Sequence, residues 1–334
     1  MELDVKEIVK GFGYELKDYT KIRNVYKCMT NDGIKSLRED NRNVDKIEVE
    51  YLMKKHLFEN GFTTLDLNIL DIETKKPYVI NSSKGYVMSN WIEGRECDLE
   101  NDDEMEMAVK NLARLHECSK GFLCPSELMV RSDIGKLPEF YDKRKKELER
   151  IKSKIKKETM KTEVEKKYFS SADLFIDEAK LAQEILDNSK YDKLVKSTLE
   201  EKSFCHHDYA FHNIIIDENN DLNVIDYEYA TYEIRVYDIA NVIKRSMRKC
   251  NWDINKTLVM LEYYDSISKL TKEELEVLFA MLVFPQKLWR IMNRYYNGKK
   301  NFSFDLNIQK VVCEIDLYPY HQKYIEDYEK LVLN

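Results

Sequence analysis

The chain has 334 residues, 43% of them hydrophobic, enough for one two-lobed domain or two small ones. A net charge of −7 argues against nucleic acid as the main partner, because neutralising phosphates needs a net basic face. Seven cysteines without a CxxC spacing read as reduced thiols of a cytoplasmic protein, and the longest apolar run, 277–284, is far too short for a membrane span.

The start, Met1-Glu2-Leu3-Asp4, is acidic and carries no targeting pattern. Residues 2–16 read as a short opening helix or strand, and Gly11-Phe12-Gly13 is a lone GxG. Residues 22–30 are strand-like, Asn31-Asp32-Gly33 is a hairpin turn, and residues 34–38 return. Lys35 and Arg38 are the cations of the returning strand. Three residues apart on a period-2 element, they point to opposite faces. Residues 44–60 read as a helix ended by Gly61, with Glu48, Leu52, Lys55 and His56 at helical spacing. Glu48 is the acid chosen to meet the strand cation, with Glu50 as the alternative.

Leu65, Leu67 and Ile69 alternate with polar residues, as in a half-buried strand. Strands are also expected at 77–80 and 85–88. Asn90-Trp91-Ile92-Glu93-Gly94-Arg95-Glu96 then breaks the pattern, and helices follow, which puts a boundary near residue 92. Residues 103–118 are helical, and the charged stretch 136–201 reads as two or three amphipathic helices. A helix is expected at 239–247, another behind the capping box Thr271-x-x-Glu274, and a Tyr-rich one at 317–333.

The chemistry concentrates in 204–238. Ile214-Ile215-Ile216 and Leu222-Asn223-Val224-Ile225 flank the turn cluster 217–221, so they form a hairpin. Its open ends bring Asn213 and Asp226 to roughly 5 Å of each other. An amide oxygen and a carboxylate there are hard ligands of the kind Mg²⁺ accepts. Asp208 lies on the loop before them, within reach of the same point. Glu228 offers a further acid. His206, His207 and His212 make a zinc site conceivable, but no cysteine pair or further carboxylate has ligand spacing beside them.

The pattern His206-x-Asp208-x₄-Asn213, hairpin, Ile225-Asp226 resembles the catalytic segment of the protein-kinase-like fold. Asp226-Tyr227-Glu228 followed soon by Asp238 is similar to the aminoglycoside and choline phosphotransferase branch, as is Leu112-Ala113-Arg114-Leu115-His116. Residues 22–27, 91–96, 205–209 with Asn213, and 284–297 resemble the CotS-type spore coat family, itself similar to those phosphotransferases.

The resemblance implies an α+β, bilobal fold. A small antiparallel-sheet N-lobe spans 1–92 and a larger, mainly helical C-lobe spans 93–334. It implies ATP or another NTP as donor, Mg²⁺ on Asn213 and Asp226, and Asp208 as the catalytic residue aiming an acceptor hydroxyl. Arg38 would stand where these enzymes carry the lysine that holds the α- and β-phosphates, with Lys35 as the nearest lysine and Glu48 as the acid positioning the cation. Asn90 and Trp91 would meet the nucleotide base. His206 and Asp238 would support the catalytic loop. The implied setting is the mother-cell cytoplasm and the spore coat, with a hydroxyl-bearing small molecule or a coat protein as partner. A non-catalytic, kinase-shaped coat component is the alternative.

Overall fold

Asn31, Asp32 and Gly33 close the second hairpin of the computed structural model, which describes residues 4–128, 132–297 and 304–333. Residues 2–3 of the expected opening segment lie outside it, as do Met1 to Leu3 of the acidic start. Gly33 has φ +78, a conformation that costs a residue without a Cβ little. The Thr30 hydroxyl donates to the Gly33 carbonyl at 2.8 Å and fixes the turn.

Contacts divide the chain into two compact units, residues 1–132 with 201–232, and residues 133–200 with 233–334. The expected boundary near residue 92 follows the change from strands to helices. The contact division falls elsewhere because strand pairing ties the 214–224 hairpin to the first hundred residues.

In the first unit, α1 (Val5–Gly11) is followed by β1 (Leu16–Ile22), β2 (Val25–Thr30) and β3 (Gly33–Asp40). Next come α2 (Val44–Glu59), β4 (Asn68–Ile69), β5 (Val79–Asn81) and β6 (Lys84–Asn90). The strands form an antiparallel sheet in the order β1-β2-β3-β6-β4, with β5 also on β6. Val5, Ile8, Val9 and Phe12 bury one face of α1 against Cys28, Leu37, Tyr86 and Met88. Burial of such side chains stabilises by about 1.5–3 kcal/mol each. Only the end of the alternating stretch 65–69 is a strand; Leu65 instead makes a lone parallel bridge to Val224.

A second, three-stranded sheet is built from β7 (Arg95–Glu96), β8 (Ile214–Ile216) and β9 (Leu222–Val224). Gly94 makes this sheet possible. A Cβ there would lie 2.3 Å from the Ile216 carbonyl oxygen, so only glycine lets the chain run along the hairpin. Helix α3 (Asp102–Ser119) follows, capped by Asn101, whose side chain accepts from the Glu104 N–H.

The second unit is helical among its described residues. It contains α4 (Leu137–Lys157), α5 (Glu163–Asn188) and α6 (Tyr191–Glu201), then α7 (Val236–Met247) and α8 (Ile254–Asp265). It ends with α9 (Lys272–Val283), α10 (Gln286–Asn297) and α11 (Phe304–Tyr328). The capping box opening α9 is present, with Thr271 and Glu274 each bonding the other's backbone N–H. The last helix begins at Phe304, well before the expected 317, and carries Pro319 in its interior. Tyr141 stacks on Phe284 at 4.0 Å between ring centres.

Candidate active site

Ile214 pairs with Val224 and the Ile225 N–H donates to the Asn213 carbonyl at 2.9 Å, so the ladder runs to the open end of the hairpin. The register sets Asn213 opposite Ile225, and Asp226 is the next residue along the chain. Asp226 has φ +66, a left-handed conformation that turns the chain sharply after the strand. Asn213 sits in a single turn, Phe211–Asn213, and its Nδ2 donates to Asp208 at 3.0 Å (backbone oxygen) and 3.3 Å (Oδ2). That leaves its amide oxygen as the atom that could hold a metal ion. The hairpin end thus holds Asn213 against Asp208, with Asp226 one residue beyond the Ile225 that pairs with Asn213.

His206 braces the loop. It is fully buried, its Nδ1 accepts from the Asp208 N–H at 3.3 Å, and its Nε2 meets the Ile225 carbonyl at 3.1 Å. With Nδ1 accepting, Nε2 carries the proton and donates. One side chain so links the Asp208 loop to the strand end beside Asp226. His212 reaches Asp208 instead, at 3.9 Å. The two rings point at different partners and not at a shared metal position.

Arg38 donates from Nη1 to Asp226 Oδ1 at 2.8 Å and lies 3.8 Å from both Glu228 and Asp40. Behind it, Arg42 binds Asp40 at 2.9 Å, Glu50 at 2.5 Å and the Glu228 carbonyl at 3.1 Å. Lys54, 2% exposed, meets Glu50 at 3.2 Å and the Asp66 carbonyl at 2.9 Å. The Asp226 N–H faces Asp66 Oδ2 at 3.5 Å.

This interleaving of cations and acids sets the titration of the groups. Burial pushes the Arg38 guanidinium down, but Glu50, Asp226 and Asp40 outweigh it, and its pKa rises. Burial works against the Glu50 carboxylate too, yet Lys54, Arg42 and Arg38 win and its pKa falls. At Asp66 burial prevails over Lys54, and its carboxyl is pushed up.

Lys35 does not join this network. It lies on the opposite face of β3, bonded to Asn90 Oδ1 at 2.9 Å and Asp32 at 3.1 Å, with the Tyr14 ring 4.6 Å away. The choice of Glu48 is corrected: it bonds Lys76 at 2.9 Å and Tyr78 at 3.1 Å on the outer side of α2. The acid of α2 that meets the cations is Glu50, one of its buried residues with Ile47, Met53, Lys54 and Leu57. Asn90 is taken up by Lys35, and the Trp91 N–H donates to the Ile34 carbonyl at 3.0 Å, extending the β3–β6 pairing. Asp238 belongs to the second unit, fully buried in the first turn of α7. Sequence reasoning missed Arg42, Lys54 and Asp66. The Glu50–Lys54 spacing of four in line with Ile47, Met53 and Leu57 is the signal that could have found two of the interacting residues.

The chain has recognisable relatives. It is a homologue of spore coat protein S of Bacillus subtilis, 25% identical over 295 residues, covering 86% of this chain and 82% of the relative. An aminoglycoside phosphotransferase from Alicyclobacillus acidocaldarius superposes with TM-score 0.87 over 99% of this chain and 96% of its own, at 17% identity. A spectinomycin phosphotransferase solved with ADP and spectinomycin gives TM-score 0.61 at 14% identity, over 96% and 95%. The fold is accordingly that of the kinase-like phosphotransferases, an antiparallel-sheet N-terminal region followed by a mainly helical part. The choline/ethanolamine kinase profile matches residues 51–260, more than half of the sequence, and the chain belongs to that family.

Proposed function

We propose that the protein is an ATP- and Mg²⁺-dependent phosphotransferase that phosphorylates a hydroxyl group, and that it works in the setting of the spore coat. The observation that supports this reading is the Asn213 side chain bonded to Asp208 at the open end of the hairpin, with Asp226 next to the Ile225 that pairs with Asn213 and the cation Arg38 on Asp226. In it, Asp208 aims the acceptor hydroxyl for in-line attack on the terminal phosphorus. Carboxylates are weak bases at neutral pH, so positioning contributes more than proton abstraction. Asn213 and Asp226 would hold Mg²⁺. Their amide and carboxylate oxygens, with Glu228 beyond Arg38, are a hard donor set that suits the ion. Bound there, Mg²⁺ would neutralise charge on the phosphates. Arg38 is the cation that faces the phosphates, held by Asp226 and Asp40, while Arg42 and Lys54 neutralise the acids Asp40 and Glu50 behind it. Asn90 and Trp91 mark where the base rests. The solved spectinomycin phosphotransferase carries ADP, which supports a nucleotide as donor.

A second reading, a kinase-shaped coat component without turnover, is favoured by one feature. Arg38 closes directly on an Asp226 oxygen that the metal reading needs. Melting the protein with and without ATP and Mg²⁺ separates the two. Stabilisation of about 2.7 kcal/mol at a hundred times the Kd, abolished in Asp226→Ala, supports nucleotide binding. Phosphate transfer to a panel of amino alcohols, sugars and coat extracts, lost in Asp208→Asn, then establishes the enzyme. No shift at millimolar nucleotide overturns it.

A further inference from the structure

Within the helical unit lies a cavity of about 150 Å³, walled by α5, α7, α10 and α11. An apolar cavity of that size holds one benzene ring. Part of its lining is of that kind, with Phe175, Trp252, Phe284 and Tyr318. The remainder is charged and lopsided. Five lining side chains are cationic, among them Lys244, Arg248, Lys287 and Arg290, against two acids, Glu178 and Glu314. This imbalance stands inside a chain whose overall charge is −7.

The acids are already engaged, Glu178 through one oxygen. Glu314 pairs with Arg248, and Glu178 gives Oε1 to His321 at 2.9 Å and to Gln322 at 2.7 Å. Two buried polar atoms of the lining, the donor Arg248 Nε and the second oxygen of Glu178, have no hydrogen-bond partner, and of these only Arg248 Nε can be met by an anion. Buried polar atoms are rarely left so, and each is costly. The cations crowd one another. Burial, with Arg144 and Arg290 adding to it, pulls the Lys244 ammonium down to about 7. Burial followed by Arg248 pushes Lys287 in the same direction. Half-buried like charges repel strongly, and a bound negative group would relieve that repulsion.

We propose that this cavity is a binding site for a small organic anion, its apolar body against Phe175, Trp252 and Phe284 and its carboxylate or phosphate head on Lys244, Arg248 and Arg290. A quaternary amine would be repelled here, so the site differs in sign from one built for choline. It does not rest on the phosphotransferase reading.

Calorimetry of the full chain tests it with benzoate, phenyl phosphate, inorganic phosphate and the neutral benzyl alcohol. Benzoate or phenyl phosphate is expected to bind at least about tenfold more tightly than benzyl alcohol. Whichever of the two binds more tightly identifies the head group, and inorganic phosphate, lacking the ring, is expected to bind more weakly than phenyl phosphate. Arg290→Ala, at an exposed position, is expected to keep its melting temperature and lose about tenfold in affinity, and Lys244→Met likewise. Asp226→Ala should leave binding unchanged, which keeps this result apart from the nucleotide experiment. Equal affinity for benzyl alcohol, unaltered affinity in Arg290→Ala, or no binding of any anion at 10 mM to folded wild type overturns the assignment.

Discussion

Arg38 on β3 and Asp226 at the end of the hairpin are joined by a 2.8 Å hydrogen bond between Nη1 and Oδ1. The two are far apart in sequence, and the pair ties the six-stranded sheet to the 214–224 hairpin. Both side chains are partly exposed, 24% and 33%, so the pair is neither screened away nor fully desolvated.

Removing this cation should cost stability. Arg38→Met leaves Asp226, Asp40 and Glu228 facing one another, and a charged hydrogen bond of this kind is worth about 1.5–3 kcal/mol. Arg38→Lys should recover part of that loss, since a point charge reaches Asp226 but not Asp40 and Glu228 together. Urea denaturation of the three proteins checks the order wild type, Lys, Met.

The two acids of α2 should behave very differently. Glu50 is 5% exposed and contacts Arg42 and Lys54, so Glu50→Ala strands buried cations and is expected to cost about 3–5 kcal/mol. Glu48 meets Lys76 near the surface, and Glu48→Ala should change stability by less than about 1 kcal/mol. Equal effects in denaturation experiments would show that the ionic network is not what holds α2 to the sheet.

The contrast between these acids marks how far the sequence could be read. The 214–224 hairpin was legible because a β-branched run, a five-residue turn cluster and a second apolar run leave few alternatives. Parity along β3 was legible too, and it sets Lys35 and Arg38 on opposite faces. The buried face of α2 was not, because Glu50 and Lys54 interrupt its apolar stripe, and hydrophobic periodicity cannot mark a buried polar residue. The alternation at 65–69 misled for another reason. Those residues cross to the hairpin, where the Val224 N–H donates to the Thr64 carbonyl at 3.0 Å, and they do not extend the sheet along their length. A non-local contact of that kind has no local signature.

Gly94 should tolerate no side chain. The Cβ of Gly94→Ala would meet the Ile216 carbonyl oxygen and Ile215 Cγ2, at 2.3 and 2.8 Å, and neither belongs to a flexible side-chain end. The strand must move away from the hairpin, breaking the Arg95–Ile216 and Glu96–Ile215 pairing. A loss of about 1–3 kcal/mol is expected. Hydrogen exchange should quicken at residues 214–216, and any stabilisation by ATP and Mg²⁺ should shrink with it. Unchanged exchange there would mean the two strands are not coupled.

In the helical unit, Glu233 makes stability depend on pH. Burial first, with Asp238 and Asp133 adding to it, raises its carboxyl to about 7, although the Ile234 N–H donates to it at 2.9 Å. A folded-state pKa above the unfolded one means the folded chain holds the proton more tightly. The stability from this group is present in full below about 4.5 and is lost as pH rises through about 7. The shift is worth about 3 kcal/mol. Glu233→Gln keeps an oxygen for the Ile234 N–H and cannot ionise. Between pH 5 and pH 8.5 the variant should therefore gain on wild type in urea-unfolding free energy by roughly that amount. A difference that stays constant across this range would show that Glu233 titrates alike in the folded and unfolded chain.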